Sequence, residues 1–293
     1  MQNDRQRQLA RDRYEGRGQI RRLLEVRGAV GGHRAPYHEV ELTAADGTRL
    51  RASWLRGPAP EAAAIVIAHG FAAHRRKPSY ALLADCLSEF AHVLSLDLRG
   101  HGRSGGRCTF GGREALDISA GVDWLRAEGH WCIVTVGVSM GAAAVLHALG
   151  EGLEVDAAVT ISAQAELGDP ETPPLQRLDR IWRTWWRRLG MRVLTGVRVV
   201  PPSSWSPYPH PRDLAGKIEA PWLIVHGLDD HFFPVHHAKI LHQRSAGPAT
   251  LWVEPRFGHA EEGLTPAFSM RLGRAVKEAL MSGRFPERER VPL

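Results

Sequence analysis

The chain has few cysteines and no long apolar segment. Its 293 residues include three cysteines, which are too few and too irregularly spaced for a disulfide framework or a paired metal site. We therefore expect Cys86, Cys108 and Cys132 to be reduced and packed. The longest apolar run, residues 62–68, is far shorter than the roughly 20 residues of a membrane-spanning helix. The first twenty residues also lack the apolar stretch of a secretory signal, so we expect a cytoplasmic protein without a membrane span.

Motifs for nucleotides and metals are also missing. There is no Walker loop and no His-Glu-x-x-His zinc motif. Residues 100–105 match the dinucleotide pattern Gly-x-Gly-x-x-Gly, but the helical pattern begins only near Gly112, whereas a nucleotide site needs a helix to open at the glycines. His236 and His237 are adjacent on a predicted helix, and we expect them to point to different faces. The sequence therefore predicts neither a cofactor nor a metal.

What is present is typical of a globular protein with an uneven charge. Hydrophobic residues make up 43% of the chain and charged residues 24%, which excludes disorder or a collagen-like fibre as the main description. Residues 1–34 hold nine arginines against four acidic residues, and the remainder is nearly balanced. We interpret residues 1–34 as a basic N-terminal arm with a partly ordered surface helix. Attraction to a nucleic acid or an acidic surface is the alternative.

Short apolar runs alternate with longer helical patterns through most of the chain. Residues 37–42 and 48–54 have the period of two that predicts a β-hairpin. The later apolar runs are continuous, which is typical of parallel strands covered on both faces. The pattern predicts an α/β fold: a mostly parallel, doubly wound sheet that follows an N-terminal antiparallel hairpin.

One interval interrupts this alternation. Almost sixty residues separate the strand that ends near Ser162 from the strand that starts at Pro221, too many for a plain connection. We therefore predict a helical lid or cap at residues 163–217, inserted into a core formed by residues 35–162 and 218–285.

A motif for nucleophilic chemistry lies between a buried strand and a helix of small residues. Gly137-Val138-Ser139-Met140-Gly141 has the pattern Gly-x-Ser-x-Gly. A serine there occupies a strained turn, and side chains at Gly137 and Gly141 would clash with the neighbouring strand and helix. The N-terminus of the helix also favours developing negative charge. The alternative is a Gly/Ser turn in an ordinary α/β unit.

The partners that a nucleophilic serine needs occur at later strand ends. Asp229 and Asp230 follow one predicted strand and His259 follows the next, in the chain order Ser, Asp, His. A further strand ends at His69-Gly70-Phe71, where a backbone amide can point at the same space as the Met140 amide. Such a pair of amides can stabilise an oxyanion.

Residues 37–281 resemble an α/β hydrolase. The matching blocks are His69-Gly70-Phe71, residues 97–104, the Gly137–Gly141 turn, His226-Gly227-x-x-Asp230 with Pro234, and Gly258-His259. Residues 109–114, with Asp117 and Trp124-Leu125, further resemble the serine esterases and peptidase-like hydrolases that carry a short lid.

The resemblance implies a role for each matching residue. Ser139 would be the nucleophile, His259 the general base and then acid, and Asp230 the orienting carboxylate. The N–H groups of Phe71 and Met140 would form the oxyanion hole. The family spacing favours Asp230 over Asp229, which would serve the turn, and Glu166 and Asp169 are outside candidates for the acid.

The predicted lid interleaves tryptophans with arginines. Trp182, Trp185 and Trp186 have the spacing of one helical face that could cover an apolar acyl pocket, or that could pack the lid on the body. The arginines could attract a phosphate-bearing acyl carrier, an anionic substrate or a membrane surface. No recognition fold accompanies the basic and aromatic pattern, which argues against nucleic acid as a partner.

The leading hypothesis is a carboxylesterase-like serine hydrolase that acts on a small-molecule acyl substrate without a cofactor. A second hypothesis is a thioesterase or acyltransferase acting on a carrier-bound acyl chain, with the basic lid and arm as docking surfaces. A third is a ligand-binding protein that keeps the hydrolase fold with little turnover, since a fold does not determine a function.

Overall fold

A computed structural model of the chain describes residues 32–59, 62–168 and 170–288. Most of the predicted basic arm at residues 1–34 therefore lies outside the described residues, as does Asp169, one of the outside candidates for the acid.

Within the described residues, eight strands, numbered β1 to β8 along the chain, form one sheet in the order β1-β2-β4-β3-β5-β6-β7-β8. β1 pairs antiparallel with β2 and β2 antiparallel with β4, and the remaining pairs are parallel. This confirms the predicted mostly parallel sheet with an N-terminal antiparallel hairpin. The strands are β1 Tyr37–Thr43, β2 Arg49–Leu55, β3 Ala64–Ala68, β4 His92–Asp97, β5 Ile133–Val138, β6 Ala157–Ile161, β7 Trp222–Gly227 and β8 Ala249–Glu254.

Helices cover both faces of the sheet. Tyr80 and Leu83 of α1 share one core cluster with Phe268 and Leu272 of α8, whereas α2, α3 and α7 contribute to the other cluster. No helix within the described residues is both long and apolar enough to cross a bilayer. The helices are α1 Pro78–Leu87, α2 Ala115–Ala127, α3 Met140–Gly150, α4 Pro173–Arg183, α5 Trp185–Thr195, α6 Pro211–Leu214, α7 His236–Arg244 and α8 Pro266–Ser282.

The strand order reverses direction between β3 and β5. From β3 the chain moves outward to β4, and it then returns to the other side of β3 to form β5. In open α/β sheets the crevice at such a point, beyond the carboxyl ends of the strands, is the usual ligand site. Phe71 follows β3 and Ser139 follows β5, so both flank this crevice.

The segment between β6 and β7 contains α4, α5, α6 and two short 3-10 helices. Its two longer helices are separated at Thr184, whose φ of −100° and ψ of 115° are extended rather than helical. The Thr184 hydroxyl donates to the Arg180 carbonyl oxygen at 2.8 Å, a local bond that competes with the helical pattern. The expectation that the lid tryptophans share one helical face is therefore wrong, because Trp182 lies in the last turn of α4 and Trp185 begins α5.

All three cysteines are free. Cys86 and Cys108 are buried, as expected, but Cys132 is only partly buried. It precedes the first residue of β5, where the strand emerges at the edge of the sheet opposite the crevice. Cys132 is therefore less deeply packed than the other two cysteines.

A buried ion pair joins the end of β4 to the segment that follows β3. Asp97 accepts hydrogen bonds from the backbone N–H groups of Arg75 and Arg103, each at 2.9 Å, and forms an ion pair with the Arg75 guanidinium. Arg75 is 1% exposed and also donates to Ser53 Oγ and Glu39 Oε1 at 2.9 Å. A charge at this depth is tolerated only when it is fully paired.

We predict that Asp97→Ala lowers the free energy of unfolding by about 3–5 kcal/mol, because it leaves the buried Arg75 charge without its main partner. The control is Glu41→Ala, which removes an ion pair between largely exposed side chains, Arg51 and Glu41 at 2.7 Å. We expect that change to cost about 0–1 kcal/mol. Urea denaturation measures both values, and equal losses would contradict the prediction.

Candidate active site

Ser139 lies at the turn between β5 and α3 with a strained backbone. Its φ of 53° and ψ of −114° are values that a residue with a side chain rarely adopts. The turn is possible because two of its residues are glycines, which have no side chain and so allow other backbone segments to approach closely. A Cβ at Gly137 would lie 2.4 Å from the Gly141 carbonyl oxygen, and a Cβ at Gly141 would lie 2.3 Å from that of Ala68. The two glycines of the motif therefore meet the packing requirement expected of them.

A chain of hydrogen bonds runs from Ser139 into the protein. The Ser139 hydroxyl donates to His259 Nε2 at 2.8 Å, and His259 Nδ1 donates to the two Asp230 carboxylate oxygens at 3.0 and 2.9 Å. The side chain of Asp230 is fully buried, whereas that of His259 is 13% exposed. These three residues come from the ends of β5, β7 and β8 and meet at one edge of the sheet.

Asp230, not Asp229, faces the histidine. Asp230 Oδ1 also accepts the backbone N–H groups of Phe232 and Phe233, each at 2.9 Å, whereas Asp229 is exposed. Burial by itself raises the pKa of Asp230, but the hydrogen bond and charge of His259 and the Phe233 amide outweigh it and bring the pKa below its usual range. Glu166 forms an ion pair with Arg212 instead.

The position of His259 depends on residues that the sequence motifs did not indicate. Ser162, at the end of β6, accepts the Ala260 N–H at 3.0 Å and so holds the residue next to His259. The Phe232 ring lies against the imidazole with a centroid distance of 4.6 Å. Ser162 has a φ of 53°, but a lone serine after a strand carries no sequence signal for this role.

Two backbone N–H groups border Ser139 without partners. Met140 begins α3, and Phe71 lies in the loop after β3, on opposite sides of the crevice. Within the described residues neither N–H makes a hydrogen bond. Unpaired amides at a helix N-terminus and a neighbouring loop are the kind of donors that bind a developing oxyanion.

Two buried histidines shape the loop that carries Phe71. His69 donates from Nδ1 to the Gly70 carbonyl oxygen at 2.7 Å and accepts the Leu98 N–H at 3.0 Å. His101 accepts the Ala72 N–H at 3.2 Å and donates to the Arg99 carbonyl oxygen at 3.0 Å. Burial lowers the pKa of each histidine to about 3, so both stay neutral and each can accept an amide proton.

The lid tryptophans lie in different surroundings. The Trp182 ring packs edge-on against Phe110 at 5.5 Å, and its Nε1 donates to the Val200 carbonyl oxygen at 2.9 Å. Phe110 in turn contacts Phe71 at 5.3 Å, which links the lid to the loop bordering Ser139. Trp185 and Trp186 are exposed instead.

One group of side chains among the described residues has the composition of a metal site. Glu171, His236 and His237 place ligand atoms within 4.8 Å of one another. The rings of His236 and His237 stack at 4.4 Å, so the expectation that they point to different faces is wrong: at the first turn of α7 both reach Glu171. Because His237 Nδ1 accepts the Ala165 N–H at 3.2 Å, its proton lies on Nε2, the nitrogen that faces Glu171. His237 is therefore not prepared as a ligand.

Comparison with known proteins gives the family. Residues 59–206, half of the chain, match the model of the family described as serine aminopeptidase, S33. The chain belongs to this family of α/β hydrolases. The protein YfhR of Escherichia coli K12 is 26% identical over 249 residues, a match that covers 83% of the hydrolase and 78% of YfhR.

Solved esterase structures resemble the hydrolase over most of its length. An esterase from Pyrococcus furiosus is 25% identical with a TM-score of 0.64, covering 84% of the hydrolase and 93% of the esterase chain. An esterase domain from Rhodothermus marinus is 20% identical with a TM-score of 0.61, covering 84% and 99% of the respective chains, and it shows the shared fold alone.

We predict that Gly141→Ala lowers the free energy of unfolding by about 3 kcal/mol or more, because the new Cβ meets the backbone of Ala68 and not a movable side chain. Gly190→Ala in α5 is the matched control, since a Cβ there meets nothing within 4 Å. Alanine favours a helix interior by as much as about 1 kcal/mol over glycine, so we expect no loss. Urea denaturation measures the free energy of unfolding of both variants, and a Gly141→Ala protein as stable as wild type would contradict the prediction.

Proposed function

We propose that the hydrolase cleaves carboxylic esters through a covalent acyl-enzyme at Ser139. The observation that carries this proposal is the continuous hydrogen-bond chain from Ser139 through His259 to Asp230, beside the unpartnered amides of Phe71 and Met140. The likeness to solved esterases also supports an ester as the substrate.

In acylation, Ser139 Oγ attacks the carbonyl carbon of the ester while its proton passes to His259 Nε2. The carbonyl oxygen becomes an oxyanion, and the Phe71 and Met140 N–H groups donate to it. The bond to the alcohol oxygen then breaks. The proton on His259 Nε2 goes to the leaving alkoxide, which departs as the alcohol.

In deacylation, a water molecule takes the place of the alcohol. His259 Nε2 removes a proton from the water as its oxygen attacks the acyl carbon, and the second oxyanion uses the same two amides. Collapse breaks the bond to Ser139 Oγ, which recovers the proton from His259. The products are the carboxylic acid and the free enzyme, and these steps use no cofactor.

Asp230 orients the imidazole and stabilises its protonated form. Its lowered pKa means that the carboxylate is ionised near neutral pH, so it can accept the hydrogen bond from His259 Nδ1–H throughout the cycle. The amides of Phe232 and Phe233 hold Oδ1 in place. The orientation of His259 therefore does not depend on a proton exchange at Asp230.

The first test uses p-nitrophenyl esters from acetyl to long-chain acyl groups. We expect wild type to hydrolyse members of the series and Ser139→Ala to lose at least about 10⁴-fold in kcat, because the mutant cannot form the acyl-enzyme. Mass spectrometry after treatment with a fluorophosphonate should find the label on Ser139. A folded wild type that neither turns over an ester nor takes the label would contradict the proposal and favour a binding protein.

The same assay separates esters from the other substrates considered. A thioester with a carrier-linked acyl chain and an aminoacyl p-nitroanilide, which corresponds to the name of the family, are the comparison substrates. We expect kcat/KM to be largest for an ester. A preference for the thioester or the anilide would contradict the proposed substrate class but would leave the assignment of Ser139 as the nucleophile unchanged.

A second prediction compares two adjacent acids. Asp230→Asn should lower kcat by about 10³–10⁴-fold, because an amide in this position favours the wrong tautomer of His259. Asp229→Asn is the matched control, since Asp229 is exposed and its backbone N–H bonds the Phe257 carbonyl oxygen at 3.2 Å. We expect its activity to stay near wild type. Comparable losses in both variants would contradict the assignment.

A further inference from the structure

Helix α5 turns its apolar face toward solvent. Trp185, Trp186 and Leu189 are 68%, 55% and 51% exposed, and they lie within a little more than one turn of the helix. Val193, one turn further along the same face, is 57% exposed. Large apolar side chains that cluster on a surface mark an interaction site, whereas an isolated exposed apolar side chain is common and needs no explanation.

The opposite face of α5 makes the contacts with the rest of the protein. Met191 packs against the core cluster, and Arg188 donates to the Trp182 carbonyl oxygen. A surface helix normally buries its apolar stripe and exposes its charges. In α5 the strongest apolar stripe is the outer one, so packing of the lid does not account for Trp185 and Trp186.

Positive charge flanks this apolar face. The Arg187 guanidinium lies 5.0 Å from the Trp186 ring centroid, and Arg192 is exposed on the other side of the stripe. In the part of the chain that the structure describes, no carboxylate pairs with Arg187 or Arg192. Burial is the main cause that lowers the pKa of Arg198, and the charges of Arg192 and Arg107 lower it further, so Arg192 lies near other cations.

The charge decides which partner fits the α5 face. A second copy of the chain would bring the same arginines, and the N-terminal residues 1–34 are themselves basic, so neither complements the surface. An acidic protein would also complement the arginines, and it is one of the outcomes of the test below. A helix with tryptophan and leucine on one side and arginine beside them suits the boundary between anionic headgroups and hydrocarbon.

We propose that the outer face of α5, formed by Trp185, Trp186 and Leu189 between Arg187 and Arg192, binds the surface of an anionic lipid bilayer. The helix lies in the plane of the interface with its tryptophans among the headgroups, and it does not cross the bilayer. This binding is independent of the proposed ester hydrolysis. It places the lid, whose Trp182 contacts Phe110, on the lipid side of the molecule.

Vesicle flotation tests the proposal without any need for turnover. The full chain is mixed with vesicles of phosphatidylglycerol and phosphatidylcholine, or of phosphatidylcholine alone, at low and high salt. The variants are the double change Trp185→Ala with Trp186→Ala, and the double change Arg187→Gln with Arg192→Gln. Trp131→Ala is the matched control, because Trp131 is 77% exposed but lies just before β5, at the edge of the sheet opposite Ser139. Thermal unfolding verifies that each variant is folded.

We expect wild type and Trp131→Ala to float with the anionic vesicles, and salt to weaken their binding. The tryptophan variant should lose about tenfold or more in partition coefficient, and the arginine variant should lose its preference for anionic over neutral lipid. Absence of flotation, equal flotation of the tryptophan variant, or binding to an acidic acyl carrier in place of vesicles would overturn the proposal. Flotation with an inactive enzyme would leave it intact and contradict only the proposed function.

Discussion

The close approach of three backbone segments at Ser139 is the constraint on which the rest of the site depends. β3, β5 and the start of α3 meet where Gly137 and Gly141 have no side chains, and this contact holds Ser139 at a positive φ. Such strain costs on the order of 1–3 kcal/mol and persists only where surrounding packing enforces it. The same contact determines where the Met140 amide points and how far Ser139 Oγ lies from His259. A change in backbone distance here would alter the Ser139 side chain, its hydrogen bond to His259 and the Met140 N–H together.

Burial has opposite electrostatic consequences on the two sides of Ser139. Beneath the Phe71 loop, His69 and His101 are kept neutral, which lets each ring accept a hydrogen bond from one amide and donate one to a carbonyl without adding charge near the Phe71 N–H. Beyond His259, Asp230 remains ionised although it is equally deep, because one histidine and two amides donate to it. The buried histidines therefore add no positive charge at the Phe71 loop. The buried carboxylate of Asp230 supplies one negative charge beside His259, where an imidazolium would form.

The sequence permits prediction of those features that depend on short patterns. Continuous apolar runs predicted the parallel strands. The chain order and the family spacing indicated Ser139, Asp230 and His259 as candidate site residues. Other contacts depend on residues distant in the chain that carry no local signal. Ser162 accepts the N–H of Ala260, the residue next to His259, although the two residues are 98 positions apart in the chain. A lone serine after a strand gives no local pattern that predicts this contact. The helical periodicity also did not predict the break at Thr184. A single threonine whose hydroxyl bonds a nearby carbonyl oxygen interrupts an otherwise uniform helical pattern.

That break gives neighbouring tryptophans different surroundings. In one uninterrupted helix, Trp182, Trp185 and Trp186 would share a face, so all three would be buried or all three exposed. The extended backbone at Thr184 changes the direction of the chain, which turns Trp182 toward Phe110 while Trp185 and Trp186 face outward. The inward ring connects to Phe71 through Phe110, and the outward ring of Trp186 lies beside the Arg187 guanidinium. A single non-helical residue therefore allows the segment between β6 and β7 both to contact the loop beside Ser139 and to present an apolar surface to solvent.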